Sequence, residues 1–294
     1  MNNKIGLGTV QFGMKYGINN TSGKVNFISA KKIIEYYYKS VTIPFFDTAS
    51  AYGDSERVLG KIFSELAIGS SICIISKFSS SVSTRSDLKA SFQKTIQNLK
   101  VNRLYAFLAH NAEAISENLD VYKELVHLKE EGYIQKIGVS VYFPSQLQWF
   151  INHEMPLDLV QVPYNVFDRR FEPFLAEYKN AGIEIHARSA FLQGLFFRKI
   201  DTLPGYFDSV KPNIAFVQQL ANANDLSLNK LLLIFCLSQP NIDRVIIGVD
   251  SEENIQENMV TEEDICKYQK IRDEINIKSS VSEDMILPFK WPKL

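Results

Sequence analysis

The stretch Phe45-Phe46-Asp47-Thr48-Ala49-Ser50-Ala51-Tyr52-Gly53-Asp54-Ser55-Glu56 indicates the fold, because it joins an apolar strand to a helix through a polar loop. Asp47 ends the strand, and Tyr52 follows on the exit loop, where the next glycine permits a tight turn. Ser55 is predicted to cap a helix Glu56–Leu66, whose apolar positions recur at helical spacing. The sequence therefore predicts a strand that presents a carboxylate and a phenol at its carboxyl end.

The next two predicted strands also end in polar groups. The apolar run Ile72–Ile75 is followed by Lys77, and the run Leu104–Ala109 is followed by His110. A free tyrosine has a pKa of about 10, so it is a useful acid at neutral pH only where a cation and hydrogen bonds lower that value. In a parallel α/β barrel the active site lies at the carboxyl ends of the strands, so these groups are expected to meet there.

Strand and helix patterns alternate along the whole chain of 294 residues. Eight strands, each followed by a helix, predict an α/β fold, a (β/α)8 TIM barrel forming one domain over residues 1–294. The first helix, Lys31–Lys39, is predicted to be capped by Ser29, and an extra helix, Glu263–Ile275, precedes a C-terminal tail interrupted by prolines. The predicted strands are Ile5–Phe12, Thr42–Thr48, Ser71–Phe78, Leu104–His110, Ile134–Val141, Leu157–Tyr164, Ile183–Phe191 and Val245–Val249.

The composition is that of an ordinary globular protein, with 46% hydrophobic and 22% charged residues. The net charge of −1 leaves no basic excess to hold nucleic acid or an anionic membrane. The longest apolar run, Leu231–Leu237, is too short to span a bilayer. These features predict a cytoplasmic protein, monomeric or weakly homo-oligomeric, with a small molecule as its partner.

The cysteines do not indicate a disulfide or a metal site. Cys73, Cys236 and Cys266 are widely spaced and odd in number, and none of the four histidines forms a metal-spaced cluster with them. They are predicted to be buried free thiols. We therefore expect no metal in the site.

The ordered polar strand ends resemble those of the aldo-keto reductase superfamily, and the resemblance extends over nearly the whole chain. It rests on the set Asp47, Tyr52, Lys77 and His110, with Gly6-Leu7-Gly8-Thr9 before it and Gly138-Val139-Ser140 after it. Any one of the four would more simply be a cap or an ion pair, but four on consecutive strand ends are hard to explain in that way.

The resemblance implies NAD(P)H-dependent reduction of an aldehyde or ketone. Tyr52 would donate a proton to the carbonyl oxygen, and Lys77 would lower the pKa of Tyr52 while being held by Asp47. His110 would bind and orient the substrate oxygen. The alternative is a cofactor-binding regulatory module with little turnover, similar to potassium-channel β-subunits, and a third reading is a barrel lyase or isomerase that uses the same groups.

The resemblance also implies a cofactor site with two departures from the usual pattern. Val141 stands where relatives have Asn, and Arg188 stands where they commonly have a Tyr that stacks on the nicotinamide. Arg188 could stack and favour the neutral reduced ring, attract an anionic substrate, or form a salt bridge to Asp47 or Glu184. The predicted cofactor-binding residues are Gly8, Thr9, Asp47, Ser140, Gln161, Arg188, Ser189, Gly194, Gly248, Asn254, Glu257 and Asn258.

The segment predicted to bind adenosine, Gly248 to Asn258, contains no Lys or Arg, and Asn254 stands where an Arg is frequent among relatives. The resemblance implies NADPH. NADH is the alternative, because the pocket for the 2′-phosphate lacks cations.

The sequence indicates less about the substrate than about the fold or the cofactor. The loop 12–19 resembles that of reductases found among bacterial surface-sugar enzymes, which suggests a sugar or nucleotide-sugar carbonyl. Aromatic candidates for lining the substrate pocket are Phe12, Tyr16, Tyr142, Phe167, Phe196, Phe197, Tyr206 and Trp291.

Overall fold

Eight parallel strands close into a barrel in sequence order, and helices alternate with them, in a computed structural model that describes residues 1–20, 23–277 and 281–292. The predicted single-domain (β/α)8 TIM barrel is confirmed. The strands are β1 (Ile5–Gly8), β2 (Phe45–Asp47), β3 (Cys73–Phe78), β4 (Leu104–Ala109), β5 (Ile134–Ser140), β6 (Leu159–Pro163), β7 (Glu184–Arg188) and β8 (Arg244–Gly248).

The α-helices surround the barrel, and several short ones lie in its loops. The segment between β7 and the next long helix contains three short 3₁₀ helices, Leu192–Phe197, Ile200–Thr202 and Gly205–Phe207. The α-helices are α1 (Val10–Gly13), α2 (Phe27–Ser40), α3 (Ser55–Leu66), α4 (Arg85–Leu99), α5 (Glu113–Ser116), α6 (Leu119–Glu130), α7 (Pro144–Asn152), α8 (Glu172–Asn180), α9 (Lys211–Ala223), α10 (Leu228–Leu237), α11 (Glu252–Glu257), α12 (Glu262–Ile277) and α13 (Glu283–Ile286).

Strand β2 shows how the sequence positions the site. Phe46 packs outward against Tyr37 of α2 and Phe63 of α3, with ring centroids 5.5 and 5.0 Å away. Its neighbour Phe45 belongs to a small apolar cluster inside the barrel. Because successive strand residues alternate in direction, Asp47 shares the inward face with Phe45 and lies above that cluster.

The prediction that β1 runs to Phe12 is wrong. The strand ends at Gly8, because the amides of Phe12 and Met14 already donate to the carbonyl oxygens of Thr9 and Val10, at 3.0 and 3.1 Å. The chain then makes the single turn of α1. An apolar run continues through both elements, so its composition alone does not mark the boundary.

Two predicted helix caps are also wrong. Helix α2 begins at Phe27, and its cap is Asn26, whose Oδ1 accepts from the amide of Ser29 at 3.0 Å. Ser55 is the first residue of α3 and does not cap it. Its Oγ instead donates to the carbonyl oxygen of Thr9 at 2.9 Å, so the hydroxyl ties α3 to the end of β1.

The three cysteines are free, but only Cys236 is buried; Cys73 is partly buried and Cys266 is exposed, which corrects the prediction for both. The predicted extra helix is α12. The predicted tail is broken into α13 and a 3₁₀ turn, Pro288–Lys290, while its positions 278–280 and 293–294 lie outside the described residues. Within the described part of the chain, no helix combines the length and apolar character needed to cross a membrane.

Candidate active site

A cavity of about 730 Å³ lies at the carboxyl ends of the strands. Every catalytic and cofactor-binding residue predicted from the sequence lines this cavity. They are Gly8, Thr9, Asp47, Tyr52, Lys77, His110, Ser140, Gln161, Arg188, Ser189, Gly194, Gly248, Asn254, Glu257 and Asn258.

A buried ion pair lies at the base of the cavity. The Nζ of Lys77 donates to Asp47 Oδ1 at 2.6 Å and to the carbonyl oxygen of Thr48 at 3.0 Å. The other carboxylate oxygen of Asp47 accepts from Gln161 Nε2. Burial lowers the pKa of Lys77, and the charge of Asp47 opposes that shift. The ammonium group is therefore held in place by two oxygen acceptors.

Close backbone packing places the loop that carries Tyr52. A Cβ added to Gly13 would lie 1.7 Å from the carbonyl oxygen of Tyr52, and Gly53 adopts φ = 55° beside Gly13. Only glycine at position 13 allows α1 to approach this loop so closely. The ring of Tyr52 then lies 5.2 Å from Lys77 Nζ and meets His110 edge to face, with centroids 5.6 Å apart.

The two titratable rings beside the ion pair, Tyr52 and His110, are both uncharged at neutral pH. Burial, and then the negative charge of Asp47, raise the pKa of Tyr52, which differs from the predicted lowering by Lys77. Burial is the larger cause of the raised pKa, and the charge of Lys77, which is paired with Asp47, does not offset it. Burial, and then the charge of Lys77, lower the pKa of His110 to about 4. Tyr52 therefore retains its proton, and His110 is a neutral imidazole.

The guanidinium of Arg188 is held at the same end of the cavity by neutral groups. It donates to Ser140 Oγ at 3.2 Å, to Ser189 Oγ at 3.4 Å and to the carbonyl oxygen of Val141 at 3.0 Å. It also lies 4.3 Å from the ring centroid of Tyr142. The predicted salt bridge is wrong for the described residues.

Glu184, one predicted partner of Arg188, instead pairs with Lys136 and His186 near the amino end of β7. The other, Asp47, pairs with Lys77.

The segment 248–258 lines another part of the cavity and carries acidic rather than basic groups. Asp250 and Glu257 both line the cavity, and the described lining residues that carry a permanent positive charge are Lys77 and Arg188. At the start of α11, Ser251 Oγ accepts from the amide of Asn254 at 3.2 Å, so that amide is already occupied. A 2′-phosphate beside Asn254 would find no cation among the described residues of this segment.

Sequence reasoning missed several polar residues of the cavity, among them Gln11 and Asp250. Gln11 is buried, lies against Gly248, and has no partner for its Oε1 among the described residues. Asp250 Oδ1 is likewise buried without a described partner, and burial raises the pKa of that carboxyl. The predicted strand Ile5–Phe12 includes Gln11, so only its position shortly after Gly8 indicates that it belongs to the site.

The aromatic candidates divide into two groups. Tyr16, Tyr142 and Phe197 line the cavity. Phe289, which the sequence did not single out, lines it as well and meets Tyr142 edge to face at 4.9 Å. The remaining candidates do not line the cavity, which corrects their assignment: Phe12, Phe167 and Phe196 are buried in the core, and Tyr206 and Trp291 pack on Phe207. In the described chain, no group of His, Cys, Asp or Glu side chains is arranged to hold a metal ion.

Comparison with known proteins defines the class. A sequence model of the aldo/keto reductase family matches residues 4–269, so the chain belongs to that family. Membership of this family indicates an NAD(P)H-dependent oxidoreductase.

The relatives in this family are distant in sequence. The chain is 26% identical over 203 residues to the "uncharacterized oxidoreductase YqkF" of Bacillus subtilis. The match covers 62% of this chain and 64% of that protein, so it spans less than two thirds of the length of that relative. It is 25% identical over 239 residues to L-galactose dehydrogenase of Arabidopsis thaliana, covering 74% and 73% of the two chains. Aldo-keto reductase AKR11C1 of Bacillus halodurans, at 18% identity, superposes with a TM-score of 0.72 over 97% of this chain and 95% of that one.

Proposed function

We propose that the protein reduces an aldehyde or ketone at the end of the cavity where Asp47, Tyr52, Lys77 and His110 converge, with Tyr52 as the general acid. The single observation that supports this most is the convergence itself. These residues come from three separate βα units, yet a buried ion pair, a phenol and a neutral imidazole border one cavity.

Each of the four residues has a separate role in this proposal. The uncharged imidazole of His110 donates a hydrogen bond to the carbonyl oxygen and aligns it with the phenol of Tyr52. The bound nicotinamide supplies the hydride. Tyr52 gives its proton to the oxygen as negative charge develops there, because an alkoxide is a stronger base than a phenolate. Lys77, fixed by Asp47, then stabilises the phenolate that Tyr52 becomes.

The raised pKa of Tyr52 agrees with this order of events. The phenol is a poor acid in the unreacted site, so it does not lose its proton to water. It becomes an effective acid only against a strong base positioned within hydrogen-bond reach. General acid help of this kind contributes about 10²–10⁴-fold to a rate.

The lining of the cavity suits a nicotinamide dinucleotide. Two buried acceptor atoms without described partners, Gln11 Oε1 and Asp250 Oδ1, suit the hydroxyl and amide donors of such a molecule. The residues proposed to hold it are Gly8, Thr9, Asp47, Ser140, Gln161, Arg188, Ser189, Gly194, Gly248, Asn254, Glu257 and Asn258.

The charge of the cavity bears on which dinucleotide is used. A carboxylate at position 250 and an amide at position 254 suit a free ribose better than a phosphate. NADPH is what the family resemblance implies. We infer that this chain discriminates weakly between the two cofactors and accepts NADH.

The substrate we propose is a sugar or nucleotide-sugar carbonyl. Aromatic rings of Tyr16, Tyr142 and Phe197 share the cavity with the amides of Asn19 and Gln193. Rings bind the apolar faces of a sugar, and amides bind its hydroxyl groups. L-galactose dehydrogenase, a relative named for a sugar, is consistent with this class.

The second candidate is a cofactor-binding regulatory module. It is favoured by one relative, the "probable voltage-gated potassium channel subunit beta" of Arabidopsis thaliana, 23% identical over 84% of this chain and 86% of that one. The convergence of four catalytic-type residues favours an enzyme.

The experiment is a screen of aldoses, ketoses and simple aldehydes with NADPH and NADH. Oxidation of the bound cofactor is followed by stopped-flow absorbance. Multiple turnovers with a carbonyl compound are expected. Tight cofactor binding with negligible oxidation by every compound would favour the regulatory module.

A further inference from the structure

Arg188 adds a positive charge to the catalytic end of the cavity, and no acidic side chain among the described residues forms an ion pair with it. Its described acceptors are two hydroxyl groups and a carbonyl oxygen, all uncharged. The carboxylate nearest the chemistry, Asp47, is already paired with Lys77. With His110 neutral, Lys77, Asp47 and Arg188 together leave one net positive charge at this end.

The guanidinium is also fixed in position. Its three donated hydrogen bonds come from different nitrogen atoms, and the group lies 4.3 Å from the ring centroid of Tyr142. Arginine remains protonated at any pH at which the protein is folded. The charge is therefore permanent, and it cannot swing out of the cavity without losing these contacts.

The position of Arg188 matters because of what must occupy this end. A hydride donor has to reach the carbonyl carbon whose oxygen faces Tyr52, so the nicotinamide ring must lie near Tyr52 and hence near Arg188. Ser140, which accepts from Arg188, pairs in register with Gln161, which in turn donates to Asp47. The charge of Arg188 also acts on the pKa values of Tyr52 and His110, lowering both.

We propose that Arg188 makes this site bind the neutral reduced nicotinamide more tightly than the cationic oxidised one. The inference rests on the proposed function, since it needs the ring at this end of the cavity. The oxidised ring carries a formal positive charge and the reduced ring carries none, so a fixed cation raises the free energy of the oxidised complex alone. The oxidised cofactor is then expected to leave the site more readily than the reduced one.

The test measures binding of the cofactor rather than activity. Dissociation constants of NADPH, NADP⁺, NADH and NAD⁺ are measured by isothermal titration for the full-length wild type, Arg188→Gln, Arg188→Tyr and Arg188→Lys. Both neutral variants are expected to lower the ratio of oxidised to reduced dissociation constants about tenfold, which is about 1.4 kcal/mol. Arg188→Lys keeps the charge and is expected to keep most of the ratio.

Glu257→Gln is the matched control within the same cavity. It also changes one charge, but it lies in the segment proposed to hold adenosine, which the oxidised and reduced cofactors share. It is expected to alter both constants in parallel and to leave their ratio within about twofold of the wild type.

The outcomes separate the inference from the proposed function. An unchanged ratio in Arg188→Gln and Arg188→Tyr, with carbonyl turnover intact in the wild type, would overturn the role of Arg188 alone. Failure of the wild type to bind any of the four dinucleotides would overturn the proposed function and this inference with it. Two neutral variants are used so that poor folding of one leaves the comparison available.

Discussion

Two ionic clusters, one buried and one partly buried, occupy the same barrel near opposite ends of its strands. Toward the carboxyl ends, Lys77 pairs with Asp47. Toward the amino ends, Glu184 accepts from Tyr105 at 2.6 Å and pairs with Lys136 and His186. Only the first cluster borders the 730 Å³ cavity. The difference teaches that a buried ion pair is a candidate for chemistry only where a substrate can reach it.

The pKa shifts alone do not show which of the two clusters has a chemical role. Hydrogen bonds from His186, Lys136 and Tyr105, together with the charge of His186, outweigh the effect of burial and hold the pKa of Glu184 well below its usual range. The cluster resembles a catalytic constellation in composition. Its place at the amino ends of the strands, away from the cavity, indicates a structural role.

The largest loss of stability is expected when the ion pair at the carboxyl ends of the strands is broken. Lys77→Met leaves Asp47 buried without its partner, so the free energy of unfolding in urea is expected to fall by about 3–5 kcal/mol. The double variant Asp47→Asn/Lys77→Met is expected to recover more than half of that loss without recovering turnover. Recovery of both would show that the pair serves stability only.

Mutation of the cluster at the amino ends is expected to lower stability without lowering turnover. Glu184→Gln is expected to lower the free energy of unfolding by about 2–3 kcal/mol, because three donors lose a charged acceptor, while kcat/KM stays near the wild-type value. The exposed Glu130→Gln is the control and is expected to change stability by less than about 0.5 kcal/mol. A large fall in kcat/KM with unchanged KM for Glu184→Gln would remove the functional distinction between the clusters.

A smaller effect should appear with pH through His110. Its pKa of about 4 lies below the ordinary value of 6.5, so the unfolded chain binds more protons between these pH values. Acidification from pH 6.5 toward pH 4 therefore destabilises the fold through this residue. The urea unfolding free energy of His110→Gln is expected to fall by about 2 kcal/mol less than that of the wild type between pH 7 and pH 4.5. Equal losses would show that His110 is not held neutral.

The smallest expected effect concerns the acidic segment 248–258. Asn254→Arg supplies the cation that a 2′-phosphate lacks there, so it is expected to shift the ratio of NADPH to NADH affinity about fivefold toward NADPH. Asn254→Gln is the uncharged control and is expected to leave the ratio unchanged. No shift with Arg would mean that this segment does not hold the adenosine ribose.

Features that depend on the order of the strands could be predicted from the sequence. Contacts between residues far apart in the chain could not. Titratable groups at successive strand ends must meet at one end of a parallel barrel, so Asp47, Lys77 and His110 could be assigned from order alone. The contact of Tyr105 with Glu184 joins residues 79 positions apart, and no local pattern indicates it. The prediction that Ser55 caps α3 is wrong for the same reason, since its partner Thr9 lies 46 positions away.

Short-range backbone geometry is the other reason why some site residues could not be predicted from the sequence. Gly13 places Tyr52 by close backbone contact, and nothing in the apolar run around it distinguishes this glycine from an ordinary loop residue. The polarity of Gln11 was visible in the sequence. The predicted strand includes residues 9–12, so the prediction did not place Gln11 in the cavity. In the structure these residues lie just beyond the end of β1.

The measurement that tests the central claim most directly is a single-turnover comparison of wild type and Tyr52→Phe. Each protein is loaded with reduced nicotinamide cofactor, mixed with a carbonyl substrate found in the screen, and followed by absorbance, and cofactor dissociation constants are measured in parallel. The account predicts a rate of cofactor oxidation at least about 100-fold lower for Tyr52→Phe, with cofactor affinity nearly unchanged. An equal rate in the two proteins would contradict the assignment of Tyr52 as the acid and of this cavity as the site of reduction.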